Sequence, residues 1–137
     1  MSERARYLFL VLIVAQAAHS VEEYVFRLYD VFAPARFISG LISDNLALGF
    51  AIANVALVAF GAWCYLARVR ARRPSGAGWA WFWTVLEGGN GTGHVLFAIA
   101  RGGYFPGVWT APFLLGLALC LGSELVRGSS KATATGR

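Results

Sequence analysis

Both histidines of this chain sit beside carboxylates inside apolar sequence. His19 is followed by Ser20, Val21, Glu22 and Glu23, after an apolar run over residues 7–18; Glu87, Asn90 and His94 lie within a second such stretch over 79–100. Ionisable groups in membrane-length apolar segments are costly, and where they occur they mark functional sites. Helical positions three and four apart share a face. Glu22 and Glu23 therefore flank His19, and Glu87, Asn90 and His94 form one stripe. Two imidazoles and three carboxylates suit zinc or iron, and helical proteins build such centres from inward Glu and His on facing helices. The predicted ligands are His19, Glu22, Glu23, Glu87 and His94, holding one or two divalent ions. One of Glu22, Glu23 and Glu87 is left as a general base, and Asn54 and Asn90 orient a ligand or a carboxylate. Without a metal, one of the paired carboxylates could hold a proton and act as a general acid.

Each residue also has a plainer role open to it. Glu23, and less so Glu22, could end its helix among lipid headgroups. His94 could be a core histidine bonded to a carbonyl, and Asn54 and Asn90 could bridge helices. Asp44 reads as a helix N-cap with Ser43, and Glu124 as a solvated partner of Arg127.

These residues need elements that carry them across an apolar medium. The chain has 137 residues, 58% of them hydrophobic and only 14% charged, whereas soluble domains are nearer half apolar and a quarter charged. The expected fold is all-α, a four-transmembrane-helix bundle forming one domain over residues 1–127. A spanning helix needs about 20 apolar residues, and four segments qualify, at about 6–26, 45–66, 78–100 and 108–126. Pro34, Pro74 and Pro106 fall in the three loops, and Pro112 in the first turn of the fourth helix. Residues 128–137 are polar and small and read as a disordered cytoplasmic tail. Ala15-Gln16-Ala17 fits a signal-peptidase site, but cleavage there would strand His19 and its acids at a ragged terminus, so the first helix is read as retained.

Charge sets the orientation. Arg4, Arg6, Arg68, Arg70, Arg72, Arg73, Arg127, Lys131 and Arg137 fall on one side, and Arg27, Arg36 and Arg101 on the other. That bias predicts a multi-pass protein of the cell membrane with both termini cytoplasmic. Trp63, Trp79, Trp81 and Trp83 would mark the inner interface and Trp109 the outer, with core packing as the alternative. No separate basic segment exists, so the net charge of +5 does not indicate a nucleic-acid partner. Cys64 and Cys120 lie apart and read as small apolar residues. At about 1.5 Å per residue, His19 lies roughly 20 Å and Glu23 roughly 25 Å from the cytoplasmic edge, against roughly 14, 18 and 24 Å for Glu87, Asn90 and His94. Both clusters then overlap at one depth, and Asn54 falls near mid-depth. One shared polar site is the economical reading. Gly89 and Gly93 form a GxxxG pair suited to close helix approach, and the glycines around Asn90 alternatively loosen that helix.

The pattern His19-Ser20-Val21-Glu22-Glu23, followed by Asn90 and His94 and then by Tyr104-Phe105-Pro106-Gly107-Val108-Trp109-Thr110, resembles the HXXEE family of small membrane proteins over roughly residues 8–121. The resemblance implies that His19, Glu22, Glu23, Asn90 and His94 belong to the functional centre, and it supplies no reaction. Tyr104 and Thr110 would help close the outer mouth of the site, or simply form the turn that Pro106-Gly107 signals. The leading expectation is a membrane-embedded metalloenzyme, a hydrolase or oxidoreductase acting on a lipid or other hydrophobic small molecule. A second is a metal-free isomerase or cyclase of a terpenoid or sterol-like substrate. A third is a proton- or metal-coupled transporter, which at this size calls for a homodimer, or a haem carrier using His19 and His94.

Overall fold

The computed structural model describes the backbone of residues 1–135 and the side chains of residues 1–130. Helix α1 (Glu3–Val25) opens on Ser2, whose hydroxyl accepts the Ala5 N–H at 3.0 Å, an N-cap that satisfies one orphan donor. It stops where Arg27 turns left-handed, at φ 56°. Two short helices follow, α2 (Leu28–Val31) and α3 (Ala33–Ile42). The sequence reading has a plain loop here, with Pro34 ending a helix. Pro34 instead sits in the first turn of α3, where a proline costs nothing. Helix α4 (Leu46–Cys64) is capped by Asn45, which accepts the Leu48 N–H at 3.1 Å. Ser43 accepts the Asn45 N–H, so the cap is Asn45 and not the expected Asp44. The last turns of α4 widen to π geometry over Tyr65–Arg70. Helix α5 (Gly76–Arg101) ends on Gly102 at φ 66°, the left-handed stop that glycine favours. Helix α6 (Ala111–Thr135) completes the chain. No strand occurs among the described residues.

Three helices, Glu3–Val25, Leu46–Arg70 and Ala111–Ser130, are long and apolar enough to cross a membrane. Helix α5 matches them in length but is less apolar, because it carries Glu87, Asn90, His94 and most of the central glycines. One end of the molecule gathers charge. Arg72 reaches Glu3 at 2.8 Å, Arg4 lies 3.6 Å from Glu124, and Arg127 lies 3.3 Å from Glu124. The start of α1, the α4–α5 linker and the far part of α6 therefore share that end. Helix α6 does not stop near residue 126 as expected. Ser129 and Ser130 donate to the Leu125 and Val126 carbonyls, and the alanines beyond favour helix, so residues 128–135 continue it. The remainder of the expected tail, 136–137, lies outside the described residues.

Side chains form two apolar clusters with a polar layer between them. Phe9, Leu12, Ile13, Cys64, Trp83, Leu114 and Leu121 belong to one; Leu28, Tyr29, Phe50 and Phe105 belong to the other. Along α1 the order is Phe9–Leu12–Ile13, then buried Gln16, His19, Ser20, Glu22 and Glu23, and beyond the helix Leu28. Helices α4 and α5 pass through the same three levels, with Asn54 and with Glu87 and His94 between the clusters. Trp83 is fully buried in the first cluster, whereas Trp63, Trp81 and Trp109 are exposed. Only the latter three are placed to face a membrane interface.

Helices α5 and α6 pack most closely of any pair. Helix α5 is continuous through its glycines, so these do not loosen it. The expected GxxxG pair is not at the contact, since a Cβ at Gly89 or Gly93 would meet open space. The close approach is at Gly91, where a Cβ would stand 2.7 Å from the Ala111 carbonyl oxygen. Gly91→Ala is therefore expected to destabilise the protein by about 1–3 kcal/mol, the usual cost of overpacking. Gly89→Ala should be neutral or slightly stabilising, because alanine is the better helix former. Thermal melts of the two variants in one detergent check this; equal melting temperatures would place the contact elsewhere.

Candidate metal centre

Glu22 faces the start of α6. Its Oε1 accepts the Tyr104 hydroxyl at 2.9 Å and the Trp109 N–H at 3.1 Å; its Oε2 accepts the Thr110 N–H at 2.9 Å and the Thr110 hydroxyl at 2.6 Å. Four donors thus converge on one carboxylate, two of them backbone N–H groups leading into a helix, where the dipole favours negative charge. A threonine just before a helix commonly turns its oxygen onto a first-turn N–H; here the hydroxyl goes to Glu22. The Tyr104 phenol, on the turn between α5 and α6, is pushed above its ordinary range by burial and by the Glu22 carboxylate, which keeps it a donor at neutral pH.

This arrangement fixes the histidines. The Thr110 hydroxyl has a single proton, and Glu22 takes it. The His19 Nδ1, 2.7 Å from the same Thr110 oxygen, must then be the donor in that contact. On His94, Nδ1 lies 2.6 Å from the Pro106 carbonyl, an oxygen that only accepts, so this nitrogen carries a proton too. With both Nδ1 atoms protonated, a neutral imidazole in each case turns a lone pair outward from Nε2. Both Nε2 atoms point at one oxygen. Glu23 Oε1 lies 3.3 Å from His19 Nε2 and 3.0 Å from His94 Nε2, and His19 Nε2 has no hydrogen-bond partner. The rings meet edge to face, with centroids 4.7 Å apart and planes at 90°. Gly107 closes the top at φ 95°, and a Cβ there would stand 2.6 Å from His94 Nδ1 and 2.7 Å from His19 Cε1.

Three acceptors facing one another without a donor require a cation or protons between them. His19, Glu23 and His94 offer ligand atoms all within 4.8 Å of one another. Zinc bonds to nitrogen and carboxylate oxygen of about 2.0–2.1 Å give a tetrahedral edge of about 3.3 Å, which the two measured contacts approach. The donor set therefore fits such an ion. Among the described residues this is the one group with suitable spacing. A porphyrin between His19 and His94 does not fit, since the two rings touch and share Glu23.

The other predicted residues lie around this triad. Glu22, expected among the ligands, has both oxygens occupied and acts through Thr110 on His19. Glu87 is fully buried two turns below His94; its Oε2 receives Asn90 at 3.4 Å and its Oε1 has no partner. Asn90 also approaches Gln16 at 3.5 Å. Gln16 donates to Ser20 at 3.1 Å, Ser20 to Asn54 at 2.7 Å, and Asn54 to the Phe50 carbonyl at 3.1 Å. Asn54 thus belongs to a polar chain across α1 and does not touch the triad. Gln16 and Ser20 were missed as site residues. A glutamine inside an apolar run, one turn before His19, is the signal that could have found the first. A cavity of about 390 Å³, lined by Gln16, Glu23, Asn54, Glu87, Asn90 and His94 together with apolar residues of α3, α4 and α5, joins the triad to Glu87.

The tautomers are open to direct test. Histidine-labelled protein should show nitrogen-15 shifts with Nδ1 protonated on both rings, and after chelation a proton taking the place of the ion between the Nε2 atoms and Glu23. Thr110→Val should disturb His19 alone, since His94 depends on Pro106. A change confined to His94 would overturn this account of the site.

No curated protein and no solved structure matches the chain. A family model described as a protein of unknown function with an HXXEE motif matches residues 10–121, most of the chain. The three residues that give the motif its name are His19, which presents a lone pair, Glu22, which holds the turn before α6, and Glu23, which bridges the two imidazoles. This chain belongs to the HXXEE family.

Proposed function

We propose that this chain is an integral membrane metalloprotein, an enzyme that acts on a lipid or another hydrophobic small molecule, with His19, Glu23 and His94 as ligands of one zinc or iron ion. The observation that carries this reading is the convergence of two tautomer-fixed Nε2 atoms on Glu23 Oε1. Two histidines and one carboxylate are the ligand set of catalytic zinc sites and of non-haem iron oxygenases, and both leave coordination positions free for water or substrate. The cavity beside Glu23 and His94 is where such a position would open. A bound ion would supply a Lewis acid and, in the zinc case, a water acidic enough to ionise near neutral pH.

The remaining roles fall to the chain's own side chains. Glu87, with one unpartnered oxygen on the cavity, is suited to take or give a proton. Asn90 holds its other oxygen, and Asn54 and Gln16 present amides to the same space. Glu22 orients His19 through Thr110, the outer-shell support that metal-bound histidines usually have. Elemental analysis of protein purified without chelator should find one equivalent of zinc or iron per chain. His19→Ala, Glu23→Gln and His94→Ala should lose it, whereas Glu87→Gln should keep it and Glu22→Gln should weaken it by about 10–100-fold. Protein free of metal but fully active would end the proposal.

In the membrane reading, α1, α4, α5 and α6 all span, and the arginine-rich end faces the cytoplasm with both termini. The grouping of Glu3, Arg72, Glu124 and Arg127 at one end supports that placement, because one end then carries most of the positive charge. Tags on either terminus should be protected from external protease in intact cells; digestion of one and not the other would reduce the number of spans to an odd number.

A second reading is favoured by Glu87 itself. A buried carboxylate with a free oxygen and an adjacent amide is the equipment of a metal-free acid–base isomerase. Activity unaffected by chelators, with solvent deuterium entering the product, selects it over the metal reading.

A further inference from the structure

The walls of the cavity restrict the molecule it accepts. Its lining combines a polar set, Glu23, Glu87, Asn90 and His94 with the amides of Gln16 and Asn54, and apolar side chains such as Ile38, Leu57 and Leu86. Glu87 Oε1 is a fully buried acceptor without a partner, so a bound head group has a place for a hydroxyl or N–H donor. Among the described residues no arginine or lysine lines the space. The cations nearest in sequence are engaged elsewhere: Arg27 with Asp30, Arg36 with the Asp30 carbonyl, and Arg101 over the Phe105 ring. Apart from an ion held by the triad, an anionic head would meet two carboxylates and no fixed side-chain cation.

Size and exits restrict the rest of the ligand. A cavity of about 390 Å³ lies at the low end of the range for small-molecule pockets, so it takes part of a membrane lipid and not the whole. Helices α4 and α5 meet through Phe60 and Trp63 with Trp79, Phe82 and Trp83, and beyond that aromatic cluster the cavity lies between them. Leu86 on α5 is 37% exposed and Ile38 on α3 is 51% exposed, so the cavity opens between α5 and the α3–α4 pair toward the surroundings of the chain.

We propose that the cavity binds the polar end of a long-chain amphiphile whose head is a hydrogen-bond donor without negative charge, such as an alcohol or an amide. The head reaches Glu87 and the triad, and the chain leaves past Leu86, Ile38 and Leu57, between α5 and the α3–α4 pair, into the bilayer. This rests on the membrane placement proposed above and deepens the substrate class without depending on the metal.

The test is photolabelling of the full-length protein in phosphatidylcholine nanodiscs. The probes are hexadecanol and hexadecyl phosphate, each with a diazirine in mid-chain, and adducts are mapped by peptide. The alcohol should label the α4 and α5 segments around Leu57 and Leu86 at least about tenfold more than the phosphate, since a buried acceptor left unpaired and a buried unpaired charge each exceed that step. Leu86→Trp or Leu57→Trp should fill the passage and abolish most of the labelling. Val85→Trp, on an exposed position outside the cavity, controls for folding and should leave it intact. Equal labelling by the phosphate, adducts spread evenly over all exposed helices, or indifference to both passage variants would overturn the proposal. The same samples are assayed for metal before and after chelation. Failure of the metal reading leaves the labelling pattern standing, and failure of this inference leaves the metal content standing.

Discussion

The Glu22 carboxylate is the interaction on which the rest of the site depends. A carboxylate inside an apolar protein is stable only if its lone pairs are met, and breaking such an arrangement by removing one partner costs several kcal/mol. The start of α6 meets them with two N–H groups and the Thr110 hydroxyl, and Tyr104 adds a fourth donor. The bond therefore joins α1 to α6 and fixes the turn between α5 and α6. That turn carries the Pro106 carbonyl, Gly107 and the Thr110 hydroxyl, the groups that touch the two imidazoles. The direction of both Nε2 lone pairs follows from where Glu22 is anchored.

The polar layer is tolerated because it is almost wholly self-satisfying. Each unpaired buried polar group costs about 1–3 kcal/mol, and the series Asn90, Gln16, Ser20, Asn54 and the Phe50 carbonyl removes most of that cost by passing one hydrogen bond to the next. The apolar clusters on either side exclude water, which strengthens the electrostatics within the layer. Within the layer two side-chain atoms lack a partner, His19 Nε2 and Glu87 Oε1; Arg68 Nε and Trp83 Nε1 lack one outside it. Glu87 Oε1 borders the cavity, and His19 Nε2 faces Glu23, which lines it, so both lie where chemistry would use them.

The cavity has a packing origin. Helix α5 presents Gly88 and Gly91 to α6 and so lies close against it. It reaches α1 through side chains, by way of Phe9 with Trp83, Glu23 with His94 and Gln16 with Asn90, and it meets α4 in the aromatic cluster of Phe60 and Trp63 with Trp79 and Trp83. Helix α3 lies across α4 instead, where a Cβ on Gly49 would run into the Ser39 carbonyl. The residual space between α3, α4 and α5 is the cavity, so close packing on one face of α5 leaves room on the other.

Much of this was legible along the chain. The four long helices, their apolar composition, the clustering of basic residues and the common level of the two polar clusters all follow from periodicity and from rise per residue, which are local properties. The helical character of residues 28–42, the continuation of α6 and the glycine at the true contact were not legible, because neighbouring helices and carbonyl partners decide them. The sharpest division lies between Glu22 and Glu23. Sequence determined that both lie one turn beyond His19 and that a carboxylate there faces inward. It could not assign their roles. Successive helical residues point about 100° apart, so one carboxylate meets α6 and the other meets α5. Only the packing of those two helices made Glu22 a buttress and Glu23 the bridge between the histidines.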